Sequence, residues 1–320
     1  MKILITGSAG FIGSHLAEKL SDRGHDVTGI DCLSDYYCVE QKQINIRDIQ
    51  KKGVRFIQTD IAQDDLDEIV FEADFIYHLA AQPGISSKTS FDSYLRNNII
   101  ATKRLLDSAQ KSDRLTGFVN ISTSSIYGAL ATGDETTEPK PQSNYGVTKL
   151  AAEQLVMSYA REKDFPACSM RLFSVYGPRE RPEKLYPRLI GSILDRKPFP
   201  LCEGSRTHIR SFSFIDDITD GLASALTHFE KCKGEIFNIG TDVAITTEEG
   251  IHLIEEIIGA KAIFRDVLKR PGDQLRTQAN IEKVRRILGY NPKTPASEGL
   301  AREVEWYRDN IHGKIDLWKR

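Results

Sequence analysis

Short apolar runs and longer segments of helical period alternate along the first half of the chain. The apolar runs have the length of buried strands and are KILIT (2–6), DVTGI (26–30), VRFIQ (54–58), DFIYHLA (74–80), GFVNIS (117–122) and PACSMRLF (166–173). Apolar residues repeat with helical period in 11–24, 94–111 and 144–163. Buried strands that alternate with helices predict an α/β fold whose parallel sheet has right-handed crossovers.

The pattern changes after about residue 174, where helices and short strands are separated by loops rich in proline and glycine. The predicted helices are 185–197, 250–260, 281–290 and 297–310, and the predicted short strands are 208–216 and 235–240. We therefore expect a first domain over 1–174 and a smaller α/β domain over 175–320, with segments that interleave. The stretch 32–47 is a long polar connection for which the sequence predicts no element.

Composition limits the partners and the compartment. A formal net charge of −2 on 320 residues and a pI near 6.4 argue against a nucleic-acid partner. No apolar run approaches the ~18 residues of a membrane span, and MKILITG enters a glycine turn without the apolar segment of a signal peptide. The five cysteines are scattered and the histidines show no ligand spacing. We therefore expect a cytoplasmic protein without disulfides or a metal site.

Gly7, Gly10 and Gly13 stand between the first predicted strand and the first predicted helix, in the sequence GSAGFIG. The spacing suits a dinucleotide, because Gly7 permits a tight turn, Gly10 lets the backbone approach a pyrophosphate, and Gly13 allows close helix packing. Phe11 and Ile12 open the helix, whose free N–H groups and dipole favour phosphates. The alternative is an ordinary turn between a strand and a helix, since glycine spacings recur by chance.

Acidic residues end the second and third predicted strands. Asp31 stands where a carboxylate takes the ribose hydroxyls of the adenosine, and neither Cys32 nor Leu33 after it can bind a 2′-phosphate. NAD is therefore favoured over NADP. Asp60 and Ile61 either flank the adenine or form a simple cap, and the sequence does not separate these alternatives.

Tyr145 and Lys149 stand four residues apart, so that they share one face of the helix predicted over 144–163. Thr123 follows a predicted strand, at the sheet edge where ligands bind. A phenol is a poor base at neutral pH, but a nearby ammonium and a nicotinamide cation would each lower its pKa. The three residues therefore predict a general base that removes a proton from an alcohol while a nicotinamide takes hydride. The alternative is an ordinary exposed Tyr–Lys pair.

Taken together, these features resemble the extended short-chain dehydrogenase/reductase family, and within it the NAD-dependent nucleotide-sugar epimerases and dehydratases. The resemblance is carried by the glycines, Asp31, HLAA (78–81), Asn98, Thr123, Tyr145 and Lys149, and it extends through HIRSFSFIDD (208–217) and KRPGD (269–273). It implies a Rossmann-type doubly wound sheet and a tightly bound, recycled NAD that is contacted by Leu79, Ala80, Ala81 and Asn98. It also implies a homodimer formed through helices 94–111 and 144–163.

The residues after Thr123 separate the reactions of this family. Sugar-nucleotide 4,6-dehydratases carry Asp-Glu there and UDP-glucuronate decarboxylases resemble Thr-Ser-Glu, whereas this chain has Ser124 and Ser125. The resemblance therefore implies an epimerase that oxidises C4 of a UDP-sugar, with Tyr145 as base, and reduces it again from the other face. Another UDP-sugar 4-epimerase, a decarboxylase of the same fold and a non-catalytic NAD-binding scaffold are the alternatives.

The loop VYGPRERPE (175–183) resembles the corresponding loop of UDP-glucuronate 4-epimerases. The match makes Arg181 the ligand of a C6 carboxylate, which suits a planar and permanently charged guanidinium. Ser125 or Ser174 is expected to help hold the same group. We therefore expect UDP-glucuronate as the substrate and UDP-galacturonate as the product, while Arg179 and Glu180 are expected to be solvated.

Arginines of the second half are expected to contact the diphosphate. The resemblance assigns this role to Arg210 and Arg270, with Arg188 as a weaker candidate, and it places Asp273 near the nucleoside ribose. The chain departs from the family pattern at Ser211, where aspartate is usual, and at residues 183–185, which read Glu-Lys-Leu.

Overall fold

The structure, a computed structural model, describes residues 1–85, 89–268 and 274–317. The strands are, in chain order, β1 (Lys2–Thr6), β2 (Asp26–Asp31), β3 (Arg55–Gln58), β4 (Phe75–His78), β5 (Gly117–Thr123), β6 (Leu130–Ala131), β7 (Ala167–Leu172), β8 (Val175–Tyr176), β9 (Phe199–Cys202), β10 (Ile209–Arg210), β11 (Ser213–Phe214), β12 (Ile236–Ile239), β13 (Ile245–Thr246), β14 (Phe264–Val267) and β15 (Arg276–Thr277). The helices are α1 (Phe11–Asp22), α2 (Val39–Lys51), α3 (Asp67–Phe71), α4 (Phe91–Tyr94), α5 (Ala101–Ala109), α6 (Asn144–Lys163), α7 (Leu185–Leu194), α8 (Ile215–Thr227), α9 (Thr247–Ile258), α10 (Glu282–Leu288) and α11 (Ala296–Asn310).

In the described part of the chain, seven strands form one parallel sheet in the order β12–β7–β5–β4–β1–β2–β3. The chain runs outward from β1 through β2 to β3, returns to β4 on the other side of β1, and continues through β5 to β7. This reversal between β1 and β4 is the switch point of a doubly wound Rossmann-type sheet, where the loops at the carboxyl edge leave a crevice for ligands. The predicted fold class is confirmed.

The central strands are apolar on both sides, and each face of the sheet carries its own core. On one face Ile3 and Ile5 of β1 belong to the same buried cluster as Leu16 of α1. On the other face Leu4 belongs to a cluster with Leu105 of α5. Because β1 is covered on both faces, its carboxyl end is held rigidly where the glycine turn begins.

The two long helices predicted beside the site differ in regularity. The one predicted over 144–163 is α6, which begins after Ser143, whose hydroxyl accepts a hydrogen bond from the N–H of Gly146. The one predicted over 94–111 is instead divided into α4, a π-helical turn over Leu95–Ile100, and α5. The π turn adds a residue to the helix and turns buried Asn98 toward the neighbouring segments.

The stretch 32–47 departs from the sequence-based expectation, whereas the division into two domains stays a prediction. Half of 32–47 belongs to a regular helix, α2, whose polar composition concealed its period. Among the described residues, the strands beyond residue 174 form three small sheets, one of which also contains β6 of the first half, and β12 lies in the main sheet as the neighbour of β7. We propose that 175–320 forms a nucleotide-sugar-binding layer interleaved with the first domain, with 236–239 belonging to the main sheet.

Candidate active site

A cavity of about 530 Å³ opens at the carboxyl edge of the main sheet, above the reversal between β1 and β4. Of the predicted site residues within the described ranges, all except Asn98 line it: Gly7, Gly10, Phe11, Ile12, Gly13, Asp31, Asp60, Ile61, Leu79, Ala80, Ala81, Thr123, Ser124, Ser125, Tyr145, Lys149, Ser174, Arg181, Arg188 and Arg210. Arg270 and Asp273 lie outside the described residues. The fold thus gathers into one cavity side chains that are far apart in the sequence.

The glycine turn after β1 has no room for side chains. Gly7 has a φ of +72°, and a Cβ there would lie 2.8 Å from the backbone nitrogen of Ala80. A Cβ at Gly13 would lie 2.2 Å from the carbonyl oxygen of Gly7. These close approaches leave a bare backbone cradle at the amino end of α1, which fits the pyrophosphate of a dinucleotide.

A buried chain of hydroxyl and imidazole groups supports the wall beside the glycine turn. The Thr6 hydroxyl accepts hydrogen bonds from the N–H groups of Leu79 and Ala80, and it lies 2.9 Å from His78 Nδ1. His78 Nε2 lies 2.9 Å from the Thr102 hydroxyl. Burial lowers the pKa of His78 to about 3, so the imidazole is neutral and joins β1, β4 and α5 without adding charge.

Asp31 and Lys42 meet at the adenosine end of the cavity. The Asp31 carboxylate accepts a hydrogen bond from the N–H of Leu33, and burial raises the pKa of this carboxyl. Lys42 of α2 also lines the cavity and donates to the Ser34 carbonyl at 2.6 Å. The sequence analysis missed Lys42, because ten residues of loop and helix separate it from Asp31. Because the ammonium of Lys42 already donates to Ser34 and lies near the Asp31 carboxylate, this end of the cavity suits ribose hydroxyls better than a 2′-phosphate.

Two residues predicted to contact the cofactor lie at different depths: Asp60 lines the cavity, and Asn98 lies behind its wall. Asp60 lines the cavity, but its carboxylate accepts from Arg96 at 2.6 Å and from the N–H of Ala62. Asn98 lies behind the wall, where its side-chain oxygen accepts from the N–H of Gln82 and its NH₂ group donates to Thr148. Asn98 therefore supports the wall, and its neighbour Asn97 lines the cavity.

Tyr145 and Thr123 both line the cavity. Burial raises the pKa of the Tyr145 phenol, and this effect outweighs the lowering by the Thr123 hydroxyl and by the charge of Arg181. Lys149 was expected to lower the pKa of the phenol, but it is not among the groups that shift this pKa. Within the protein alone, burial penalises the phenolate, so the phenol holds its proton. The predicted lowering also depends on a nicotinamide cation, and it stays a prediction.

Lys149 lies one helical turn after Tyr145 and is 4% exposed. Burial lowers the pKa of its ammonium to about 8, against the opposing charge of Glu153 one turn further along α6. Glu153 is held by Arg171 of β7 through hydrogen bonds of 2.8 and 3.0 Å to both carboxylate oxygens. Lys149 thus titrates near neutral pH, which suits a group that moves or stabilises a proton.

Gly146 brings the start of α6 close to the loop after β5. A Cβ at this position would lie 2.7 Å from the Ser125 carbonyl oxygen, so Gly146→Ala forces the first turn of α6 away from that loop. Because Tyr145 reaches Thr123 from this turn, we expect kcat to fall by roughly 10- to 100-fold. Steady-state kinetics would measure this loss. The control, Gln154→Ala on the exposed side of the same helix, should retain activity, and equal rates for both variants would contradict the argument.

Arg181 lies at the sugar end of the cavity with its side chain 15% exposed. Its guanidinium carbon is 5.8 Å from the centre of the Tyr36 ring, and its Nη1 is 2.6 Å from Glu183 Oε1. The positive φ of Gly84 lets the backbone approach the same guanidinium. Sequence reasoning missed Tyr36 and Tyr37, which come from the loop before α2 and line the cavity.

Arg179 and Glu180 are buried, and the expectation that they are solvated is wrong. Arg179 is 8% exposed and forms ion pairs with Glu18 and Asp48. Glu180 is 5% exposed and shares a hydrogen bond with Glu303 of α11. Their partners come from three helices that lie far away in the sequence, so the loop alone gave no sign of them.

The carboxyl pair Glu180–Glu303 makes stability depend on pH. Burial raises the pKa of Glu180 to about 7 and that of Glu303 well above its usual range. Charges on Lys184 and Arg181 lower the pKa of Glu180 and that of Glu183 raises it, while the Tyr176 and Tyr186 hydroxyls face the pair from β8 and α7. Because both pKa values are raised, their contribution is complete below about pH 4.5 and is lost as the pH rises through 7.

Replacing Glu303 by glutamine should therefore flatten the dependence of stability on pH. We expect the free energy of unfolding of the wild type to fall between about pH 5 and 8, and that of Glu303→Gln to fall less, since the amide still donates a hydrogen bond but cannot ionise. Urea denaturation at a series of pH values measures both curves. Glu298→Gln, on the exposed side of the same helix, should follow the wild type, and parallel curves for Glu303→Gln would exclude the pair as their cause.

Serines and arginines surround the remaining part of the cavity. The N–H of Ser125 donates to the Thr123 hydroxyl, and Ser174 accepts a backbone hydrogen bond from Ser213 while it lines the cavity. Arg188 reaches the cavity from α7 and Arg210 from β10. Gln274, which sequence reasoning missed, donates to the carbonyls of Ser124 and Gly128 and so fixes the loop that carries the serines.

Residues 1–85, 89–268 and 274–317 contain neither a membrane-spanning helix nor a metal centre. No helix there combines the length and the apolar composition that crossing a bilayer requires. No group of three or more histidine, cysteine, aspartate or glutamate side chains there is placed to hold a metal ion. All five cysteines are free.

Comparison with known proteins gives concordant matches. The model of the NAD dependent epimerase/dehydratase family matches residues 3–240. The chain is 37% identical to a Bacillus subtilis protein described as an uncharacterized UDP-glucose epimerase, YtcB, over 98% of this chain and 100% of that one. It is similar to the crystal structure of UDP-glucuronic acid 4-epimerase from Bacillus cereus in complex with UDP-glucuronic acid and NAD, with a TM-score of 0.92 and 36% identity over 97% of this chain and 99% of that one. It is also similar to MoeE5, solved with UDP-glucuronic acid and NAD and with UDP-glucose and NAD, with a TM-score of 0.86 and 32% identity over 97% of this chain and 100% of that one.

Proposed function

The chain belongs to the NAD-dependent epimerase/dehydratase family, and from that premise we propose that it is an isomerase that inverts C4 of UDP-glucuronate to give UDP-galacturonate. The observation that carries the proposal is the joint placement of Tyr145, Lys149 and Arg181 in one cavity beside the glycine cradle. Structures of similar size and fold bind UDP-glucuronic acid and NAD together. A non-catalytic scaffold would not require the buried Tyr–Lys–Thr arrangement.

NAD is the cofactor, and the cavity fits it on two grounds. The backbone cradle of Gly7, Gly10 and Gly13 accepts a pyrophosphate, and the carboxylate of Asp31 accepts ribose hydroxyls. When bound, the nicotinamide would supply the chemistry of a reversible hydride acceptor, oxidising C4 of the sugar and allowing its reduction from the opposite face. Because the cofactor is regenerated in each cycle, we propose that the protein retains it.

The protein itself supplies the proton chemistry. With a positive nicotinamide ring beside it, Tyr145 would release its own proton to solvent, and the resulting phenolate would accept the proton of the C4 hydroxyl, which the nearby Thr123 hydroxyl orients. The ammonium of Lys149 stabilises the phenolate, and the same phenol returns its proton when the 4-keto sugar is reduced. Arg188 and Arg210 contribute positive charge for the diphosphate.

We propose that Arg181 binds the C6 carboxylate of the sugar. Oxidation at C4 makes a β-keto acid, which loses CO₂ most readily when its C5–carboxylate bond stands perpendicular to the carbonyl plane. A guanidinium that holds both carboxylate oxygens keeps this bond away from the perpendicular, with Ser125 or Ser174 as a second contact. This restraint would separate an epimerase from a decarboxylase on the same fold.

A neutral hexose is the second candidate for the substrate. The Glu183 carboxylate already lies 2.6 Å from Arg181, so the charge of the guanidinium is matched within the protein. A uronate must displace Glu183 or share Arg181 with it, whereas UDP-glucose needs neither. One relative carries the description UDP-glucose epimerase, and MoeE5 was solved with either sugar nucleotide.

One assay separates these candidates. Purified protein is incubated in parallel with UDP-glucuronate and UDP-glucose, and the products are resolved by anion-exchange chromatography. UDP-galacturonate from the first incubation supports the proposal, UDP-pentose indicates a decarboxylase, and UDP-galactose alone indicates the neutral hexose. NAD released from the denatured protein supports a retained cofactor, while failure of added NAD to support any turnover would contradict the mechanism.

We also propose a cytoplasmic homodimer formed through the helices beside the active site. Large apolar side chains are exposed on these elements, with Phe91, Ile100 and Val147 between 43% and 47% exposed. Pairing of two such surfaces would form a helical bundle and bury these side chains. Sedimentation velocity would measure the mass in solution.

A further inference from the structure

Arg179 is a buried cation outside the active-site cavity, two residues before Arg181. Its guanidinium lies 2.7 Å from Glu18 Oε1, 3.2 Å from Asp48 Oδ2 and 3.3 Å from the Ser14 hydroxyl. Ser14 and Glu18 belong to α1, and Asp48 belongs to α2. One side chain of the second half of the chain is therefore clamped between the first two helices of the Rossmann domain.

The backbone of the same segment is held as well. Gln41 of α2 donates from one side-chain nitrogen to the carbonyls of both Arg179 and Glu180. Arg179 adopts a φ of +71°, a left-handed conformation that a non-glycine residue rarely takes without compensating contacts. Because two residues of α2 and two of α1 bind it, the turn has one position relative to these helices.

The electrostatic surroundings of Arg179 favour this position. His15 lies on α1 between the two residues that Arg179 contacts, and burial together with the charge of Arg179 lowers the pKa of this imidazole to about 3. The imidazole is neutral, so it does not oppose the guanidinium. The carboxylates of Glu18 and Asp48 face one buried guanidinium. Removing this guanidinium would take its positive charge away from both of them.

We infer that Arg179 is a positioning residue that sets the location of Arg181 for a substrate carboxylate. The inference rests on the proposed function, in which Arg181 binds that carboxylate. Helix α1 starts at the glycine turn that receives the pyrophosphate, and the side chain of Arg179 ties the carboxylate-binding loop to this same helix. One helix therefore holds both the glycine turn and the loop that carries Arg181, so these two parts of the site would keep one relative position when cofactor and sugar bind.

The decisive variant is Arg179→Asn, because asparagine tolerates positive φ and removes the guanidinium without straining the turn. Glu18→Gln tests the same ion pair from the other side. Arg55→Asn is the matched control, since Arg55 on edge strand β3 pairs with Glu72 at the surface and does not line the cavity. Kinetics with UDP-glucuronate, calorimetric binding of UDP, NAD content and the melting temperature are measured for each protein.

We expect Arg179→Asn to raise KM for UDP-glucuronate by roughly 10- to 100-fold and to increase the fraction of UDP-pentose product. Affinity for UDP and NAD content should stay within about twofold of the wild type, because Arg179 does not line the cavity. Glu18→Gln should shift KM in the same direction, and the double variant should show less than the sum of the two effects, since both act through one contact.

The outcomes separate the inference from the proposed function. If the wild type epimerises UDP-glucuronate and Arg179→Asn has unchanged KM and products, the positioning role is overturned while the function stands. Arg179→Asn could instead bind UDP, NAD and the sugar less tightly and also melt at a lower temperature. In that case Arg179 stabilises the fold as a whole, and the inference is again overturned. A wild type that neither binds nor converts UDP-glucuronate overturns both.

Discussion

Replacing Tyr145 by phenylalanine is expected to lower kcat for UDP-glucuronate by roughly 10²- to 10⁴-fold. The change removes one oxygen atom, the one that is proposed to take the proton of the C4 hydroxyl. The phenyl ring keeps the packing against Tyr94, whose ring centre lies 6.4 Å away. The protein should therefore fold normally, contain NAD and bind UDP-sugar with nearly unchanged affinity.

A second tyrosine of the same helix provides the control. The Tyr159 hydroxyl donates to Asp107 at a partly exposed site, fourteen residues beyond Tyr145. Tyr159→Phe should lose this hydrogen bond and retain the wild-type kcat. Rates should be measured by product chromatography at saturating substrate, so that affinity does not contribute. A Tyr145→Phe variant that keeps more than about a tenth of the wild-type kcat would exclude the phenol as the general base.

Truncating Arg181 to alanine is expected to weaken the recognition of the uronate and to change the product. Loss of a buried, charge-assisted contact costs about 2 kcal/mol or more, which corresponds to a rise in KM of about 30-fold. The 4-keto sugar would then rotate its carboxylate freely, and UDP-pentose should appear beside UDP-galacturonate. KM for UDP-glucose, if it is a substrate, should change little.

A graded variant distinguishes charge from geometry at this position. Arg181→Lys keeps the positive charge but cannot bind both carboxylate oxygens in one plane, so it should recover part of the affinity and still release UDP-pentose. Both quantities come from one progress curve that is resolved by chromatography. If Arg181→Ala neither raised KM nor released pentose product, the uronate assignment would fail, and the pairing with Glu183 would be its main role.

The features predicted correctly from the sequence depend on local chemistry. The glycine turn has no room for side chains, and the Tyr–Lys spacing follows from the helical period, so both are visible within a few residues. The same holds for the strands, whose apolar runs are short and bounded by turns. The π turn at Leu95–Ile100 was missed because its hydrophobic pattern differs from that of a regular helix by one residue.

The errors concern residues whose surroundings are assembled by the fold. Arg179 was expected in solvent because its partners Glu18 and Asp48 precede it by 161 and 131 residues. The sequence around Glu303 does not indicate that this carboxyl is buried, since its neighbour Glu180 comes from the distant loop 175–183. Tyr36 and Lys42 lie in a stretch that reads as a polar connection, and only the packing of α2 brings them to the cavity. Predictions of burial fail here because charge patterns do not reveal distant counter-ions.

The position of β12 in the main sheet also limits where the polypeptide can be truncated or recombined with a relative. A polypeptide that ends after β7 would leave the hydrogen-bonding edge of that strand open, because the strand that covers it is encoded more than sixty residues later. Such edges pair with other chains, so a nascent or truncated first half is exposed to association until β12 has been synthesised. A chimera that takes its second half from a relative would therefore have to keep residues 236–239 together with the first domain. A single crossover at the loop 175–183 would separate this strand from the sheet to which it belongs.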